Sequence, residues 1–136
     1  MIIACVAKDF ARCSALSARL WLESGIELVL VVTGQKDAEP GWEQLRHQRL
    51  DLAIVDEQLD GMSGIDFVRQ LMRVNPLANT AIAGTMSPED FHEATEGLGV
   101  LAQLPLNPSE ADIRALLLIL ARINGLIAHT SRVVRP

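Results

Sequence analysis

The residues best placed to do chemistry are acidic and stand at the ends of apolar runs. Asp56 closes the run Leu52 to Val55 within the stretch DLAIVDEQLDGMSG, Asp51 to Gly64, and Asp9 follows Lys8 directly after the run Ile2 to Ala7. A carboxylate at the carboxyl end of a strand buried on both faces lies where open α/β sheets hold their ligands. Gly61 and Gly64 break the strand pattern and Ser63 offers a helix cap, so a turn and a helix must follow Asp56 closely. Asp9 is also placed to cap the first helix, a role compatible with ligand binding. His47, His92 and His129 are scattered, with no Cys or paired carboxylate at zinc-ligand spacing, and read as surface residues. No nucleophile triad, phosphate-binding glycine loop or nucleotide fingerprint is present, so the chain reads as a non-enzyme with no catalytic residue.

Two strand-end acids meet only if their strands run parallel, and the pattern of the chain supplies that arrangement. Apolar runs at Ile2–Ala7, Glu27–Thr33, Asp51–Asp56, Thr80–Met86 and Val100–Leu104 alternate with helical stretches. The helices span Arg12–Glu23 closed by Gly25, Pro40–Gln48 after a turn at Gly34–Lys36, Ser63–Val74 stopped by Asn75-Pro76, Ser87 to about Gly97, and Asn107 to about Ile127. Ser63 with Asp66 forms a capping box, and Ser87-Pro88-Glu89-Asp90 supplies a cap, a first-turn proline and acids that suit the helix dipole. Strand and helix repeated five times predict an α/β parallel sheet with right-handed crossovers covering both faces.

The 136 residues suit one domain, expected over 1–128 with a short tail at 129–136. Hydrophobic residues make up 49% and charged residues 21%, a balance that favours a well-buried sheet over disorder. A net charge of -5 excludes non-specific nucleic-acid binding, which needs clustered Lys and Arg. Cys5 and Cys13 read as reduced core residues. Met1 leads straight into a strand without a charged leader, so a cytoplasmic location is expected. The longest apolar stretch, Ala115 to Ala121, is too short to span a membrane.

Asp56 with its DLAIVD strand, followed by Leu59, Met62 and Gly64, together with Thr85 and Pro105, resembles the receiver domain of bacterial two-component response regulators over nearly the full chain. The resemblance implies a flavodoxin-like (βα)5 fold with strand order 2-1-3-4-5 and a site at the mouth of strands one, three and four. It implies Asp56 as phosphoacceptor toward a phosphohistidine or a small phosphodonor, and Thr85 as the phosphoryl and switch contact. Asp9, Asp56 and Gln58 become the candidates for holding a magnesium ion. Such chemistry is positioning plus charge stabilisation, so each lost charge should be felt.

Several positions depart from that pattern. Lys8 replaces the first acid of an acidic pair, and Leu104 replaces the lysine before Pro105. The mouth is therefore less negative than in the family, which weakens a hard cation's site. Met86 stands where a small residue is usual and is expected over the pocket, Leu101 replaces an aromatic switch residue, and Asp60 replaces a proline. Lys8 carries two readings: an ammonium paired with Asp56 or Asp9 in place of a metal, or a solvated loop lysine.

In the last helix Ile113, Leu117, Leu120 and Ile127 form a stripe suited to the sheet, whereas Leu116, Ile119, Ile123 and Leu126 form a second apolar stripe beside it. The second stripe predicts a homodimer or a docked partner. The expected function is an atypical two-component receiver that acts through protein contacts with a histidine kinase or a downstream signalling protein. Magnesium-dependent phosphorylation is expected to be weakened or absent. A receiver still phosphorylated on Asp56 is the first alternative, and a flavodoxin-like small-molecule binder is the second.

Overall fold

The computed structural model of the chain describes residues 1–33, 43, 45–46 and 49–134, and for 126–134 the helical backbone. The expected turn at Gly34–Lys36, most of the expected Pro40–Gln48 helix with Trp42, and His47 lie outside the described residues. Among the described residues seven strands and four helices follow in order: β1 Ile2–Ala7, α1 Phe10–Trp21, β2 Leu28–Thr33, β3 Leu52–Asp56, β4 Gln58–Leu59, β5 Met62–Ser63, α2 Gly64–Val74, β6 Asn79–Ala83, α3 Pro88–Thr95, β7 Val100–Leu104 and α4 Glu110–Val134. Five of the strands form one parallel sheet in the order β2-β1-β3-β6-β7, which is the expected 2-1-3-4-5 once the small β4-β5 hairpin is set aside.

Each helix begins where a side chain accepts an orphan backbone N–H. Asp9 accepts from Arg12, Ser63 from Asp66 and Ser87 from Asp90, and Pro88 fills the first turn of α3. Ser109 and Asp112 cap α4 reciprocally: Ser109 Oγ accepts the Asp112 N–H at 3.2 Å and Asp112 Oδ2 accepts the Ser109 N–H at 2.8 Å. The Ser109 N–H and the Ser109 hydroxyl, both donating to Asp112 Oδ2, lower the Asp112 carboxyl below its ordinary pKa. Gly25, Gly97 and Gly99 take positive φ just beyond helix ends, where a side chain would be strained.

The central strands β1 and β3 are buried along their whole length because helices cover both faces. On one face Ala4, Val6, Ala53, Val55 and Ile82 pack with Phe67, Val68 and Leu71 of α2. On the other, Ile3, Cys5, Ile54 and Ala81 pack with Cys13 and Leu20 of α1 and with Ile113, Leu116, Leu117 and Leu120 of α4. The sheet also ends in register, Val6 opposite Val55, Asp56 opposite Ala83 and Ala83 opposite Leu104. One edge of the molecule thus gathers the loops that follow β1, β3, β6 and β7.

Three expectations change. The fourth long strand, β6, ends at Ala83, so Thr85 and Met86 stand on a loop; the backbone breaks at Gly84. The last helix continues to Val134 instead of ending near Ile127, because nothing after Ile127 breaks a helix before Pro136. Leu116 belongs to the inner face of α4, 1% exposed, and among the described side chains of α4 the outward large apolar residues are Leu118 and Ile119. The second stripe therefore starts one turn later than its spacing suggested.

Thr80 lies in the middle of β6, fully buried, and its hydroxyl has no hydrogen-bond partner among the described residues. A buried hydroxyl without a partner carries its desolvation cost uncompensated. Thr80→Val keeps the branched shape and removes that cost, so it should stabilise the fold by about 1 kcal/mol in urea unfolding.

Candidate functional site

Asp56 is the one buried carboxylate at the mouth of the sheet among the described residues, and its partner comes from α1. Arg12 Nε donates to Asp56 Oδ2, and Arg12 Nη2 donates to Asp56 Oδ1 at 3.2 Å. Nη2 also donates to the Leu106 carbonyl at 2.7 Å. One guanidinium thus joins α1, the end of β3 and the loop after β7. The forked, charge-assisted geometry suits arginine, whose planar donors match a carboxylate. The hydrogen bond to Asp56 raises the Arg12 pKa above its ordinary value and keeps the group charged. A cation in the first turn of a helix opposes the helix dipole, and α1 has no acid in its first turn to offset it. Asp56 supplies the compensation.

The other residues singled out from sequence fall around this pair. Asp9 is exposed and its Oδ1 accepts the Arg12 N–H at 3.0 Å, so the same acid that starts α1 sets where Arg12 begins its reach. Lys8 is exposed and makes no ion pair among the described residues; the cation expected of it at Asp56 is Arg12. Gln58 is exposed on the β4-β5 hairpin. Leu104 is buried under α4 and Leu101 packs half-buried against the same cluster. Met86 does not lie over the site: it packs into the apolar cluster on the α2 side, beside Phe91, Leu98 and Val100.

A β-bulge explains part of this. The register between β6 and β7 shifts between Thr80 and Ile82, and Leu101 and Ala102 consequently face the same cluster. Gln103 is re-aimed at the β6-α3 loop, where its Oε1 accepts the Met86 N–H at 3.0 Å and its Nε2 donates to the Met86 carbonyl at 2.8 Å. Glu57, next to Asp56, crosses to the same loop and accepts hydrogen bonds from the Thr85 N–H and from Thr85 Oγ1 at 3.5 Å. Gly64 lets the helix start press against β3, since a Cβ there would stand 3.1 Å from Glu57 Cα and overlap the Asp56 carbonyl.

The arrangement does not fit a magnesium ion. Both Asp56 oxygens carry a guanidinium, and among the described residues no three His, Cys, Asp or Glu gather to hold a metal. A hard divalent ion needs several oxygen donors and net negative charge. Here one carboxylate faces one built-in cation.

Neither Arg12 nor Glu57 stands at a position of the motif that singles out Asp56, Thr85 and Pro105. The signal for Arg12 was available: it stands three residues after the Asp9 cap, in the helical turn that opens at the mouth. For Glu57 and Gln103 no signal existed, since the β4-β5 hairpin and the bulge that aim them depend on the folded sheet.

Beside the pair lies a cavity of about 160 Å³ lined by Cys5, Cys13, Asp56, Arg12, Arg19 and Pro108, among others. Both thiols are free and buried. Burial, with the Asp56 charge adding to it, pushes Cys13 up to about 11 and Cys5 further still. Because the unfolded thiol titrates near about 8.5, stability from keeping Cys13 neutral is complete below that pH and is lost as pH rises toward 11. Native protein at pH 8 should therefore leave both thiols unlabelled by iodoacetamide, with both labelled in denaturant, and unfolding midpoints should drop between about pH 8.5 and pH 11.

No protein-family model matches the chain, and no curated protein matches its sequence. Solved structures do match its fold. A response regulator receiver domain protein from Clostridium thermocellum superposes with a TM-score of 0.75 at 16% identity, covering 93% of this chain and 98% of that one. Chemotaxis protein CheY4 from Vibrio cholerae gives 0.73 at 16% identity over 88% of this chain and 97% of its own. A response regulator protein from Burkholderia pseudomallei, solved with a phosphorylated aspartic acid and a calcium ion, gives 0.70 at 17% identity over 95% of this chain and 74% of that one. The fold is that of receiver domains.

Proposed function

We propose that the chain is an atypical receiver-type signalling module that works through protein contacts, with Asp56 neutralised by Arg12 in place of metal-dependent phosphorylation. The observation that carries this reading is the Arg12–Asp56 fork. In the Burkholderia structure an aspartic acid is phosphorylated in the presence of a divalent cation. Here the corresponding acid by motif has both oxygens occupied by a side chain that cannot lose its proton. A nucleophilic carboxylate so engaged must first break two charge-assisted bonds, and a metal must displace a tethered cation. The tie from Arg12 to the Leu106 carbonyl holds the loop before α4 in one arrangement without phosphate.

The contact surface we assign is the outer face of the last helix, and its occupant is a second copy of the chain. At 25 residues α4 is about 37 Å long, whereas a five-residue strand covers about 17 Å, so the helix outlasts the sheet. Leu118 and Ile119 are exposed at 62% and 37%. In sequence Ile119, Ile123, Leu126, Thr130 and Val133 follow at alternating steps of four and three, the a/d spacing of a two-stranded coiled coil.

Incubation with magnesium and acetyl phosphate, or with beryllofluoride, should leave the mass and the amide spectrum of the wild type unchanged. Arg12→Ala, with Asp56 freed, should respond more than the wild type. A wild-type adduct that disappears in Asp56→Asn would refute the reading and restore a conventional phosphoacceptor.

Sedimentation should show a dimer for the wild type and a monomer for Ile119→Glu and Ile123→Glu. Leu116→Glu should instead unfold the protein, since that residue is inside. A monomeric wild type would remove the second copy from the proposal.

A further inference from the structure

The second acid of the mouth, Glu57, has no place in the phosphoacceptor pattern, yet it is bound as closely as Asp56. Its carboxylate lies across the β6-α3 loop and accepts the Thr85 N–H and the Thr85 hydroxyl through the same oxygen, Oε2. The backbone has been shaped for it. Gly84 is buried, and a Cβ there would stand 2.8 Å from Glu57 Cδ and 2.9 Å from Glu57 Cβ, closer than real Cβ atoms approach their neighbours. Glycine at 84 is thus required by the side chain lying over it, not by a positive φ. The Glu57 backbone is fixed at both ends, its N–H donating to the Ala83 carbonyl at 2.8 Å and its carbonyl accepting the Gly64 N–H at 2.8 Å. Gln103 clasps Met86 from the other side, so the loop Gly84 to Met86 is held between two side chains.

We propose that the Gly84–Thr85 turn is an oxyanion seat and that Glu57 is its resident anion. A backbone N–H and a hydroxyl converging on one oxygen, next to a glycine that admits a close approach, form a site for a carboxylate or phosphate-class oxygen. Filling it from within keeps the β6-α3 loop in the anion-bound arrangement at all times. Arg12 and Glu57 then play complementary parts: a tethered cation meets the acid of β3, and a tethered anion meets the donors after β6. The inference rests on the proposed phosphate-independent module only for the meaning of the state that is held, because the seat and its occupant stand on contacts that do not involve Asp56.

The test reads the Thr85 amide by NMR in the full chain, without any phosphodonor. In the wild type that resonance should lie far downfield and exchange slowly. Glu57→Gln, which keeps the shape and removes the charge, and Gly84→Ala, which keeps the charge and displaces the carboxylate, should each move it upfield and speed its exchange by roughly tenfold or more. Asp56→Asn should leave it in place. Millimolar inorganic phosphate should leave the wild-type resonance unchanged and shift it saturably in Glu57→Ala. A Thr85 amide that is indifferent to both Glu57→Gln and Gly84→Ala, in variants whose remaining spectrum is native, overturns the contact. A phosphate-dependent shift in the wild type, or none in Glu57→Ala, overturns the seat. An Asp56 adduct would refute the proposed function while leaving these readings untouched.

Discussion

A carboxylate placed at the carboxyl end of a fully buried central strand must meet a positive group, because the strand that carries it offers no water on either face. In this chain the positive group is Arg12, and much of the surrounding structure follows from it. Asp9 starts α1 at the turn that brings Arg12 over β3. Leu106 bends its carbonyl to the remaining guanidinium donor and thereby sets the approach of the loop before α4. An arginine at the start of a helix would be unfavourable without Asp56, and a buried Asp56 would be unfavourable without an arginine. The two residues make sense only together.

The same logic runs along the whole edge. Parallel strands that end in register put four loops side by side, and each loop exposes backbone donors or carried charges that need partners. Arg12, Glu57 and Gln103 supply them from neighbouring elements.

α4 buries Ile113, Leu116, Leu117 and Leu120 against the sheet and joins the end of α1 through Arg114 and Glu23 at 3.2 Å. Its inner face is therefore fixed, and among its described side chains the large apolar residues left outside are Leu118 and Ile119, with Ile123 half-covered.

What the sequence determined is what depends on local period and composition. The alternation of apolar runs and capped helices is enough for the five parallel strands, the strand order that their resemblance implies, and Asp56 at a strand end, because hydrophobic period and cap chemistry act within a few residues. The departures at Lys8 and Leu104 could also be read there. What only the tertiary structure decided is which side chains meet at the mouth and which face of α4 is inside. Arg12 lies 44 residues from Asp56, and Glu57 lies 28 residues from Thr85. Their meeting depends on strand register and on a glycine's missing Cβ, neither of which leaves a local period to read. Leu116 and Ile119 differ by less than one helical turn, and only the packed sheet separates the residue that holds the core from the one left exposed.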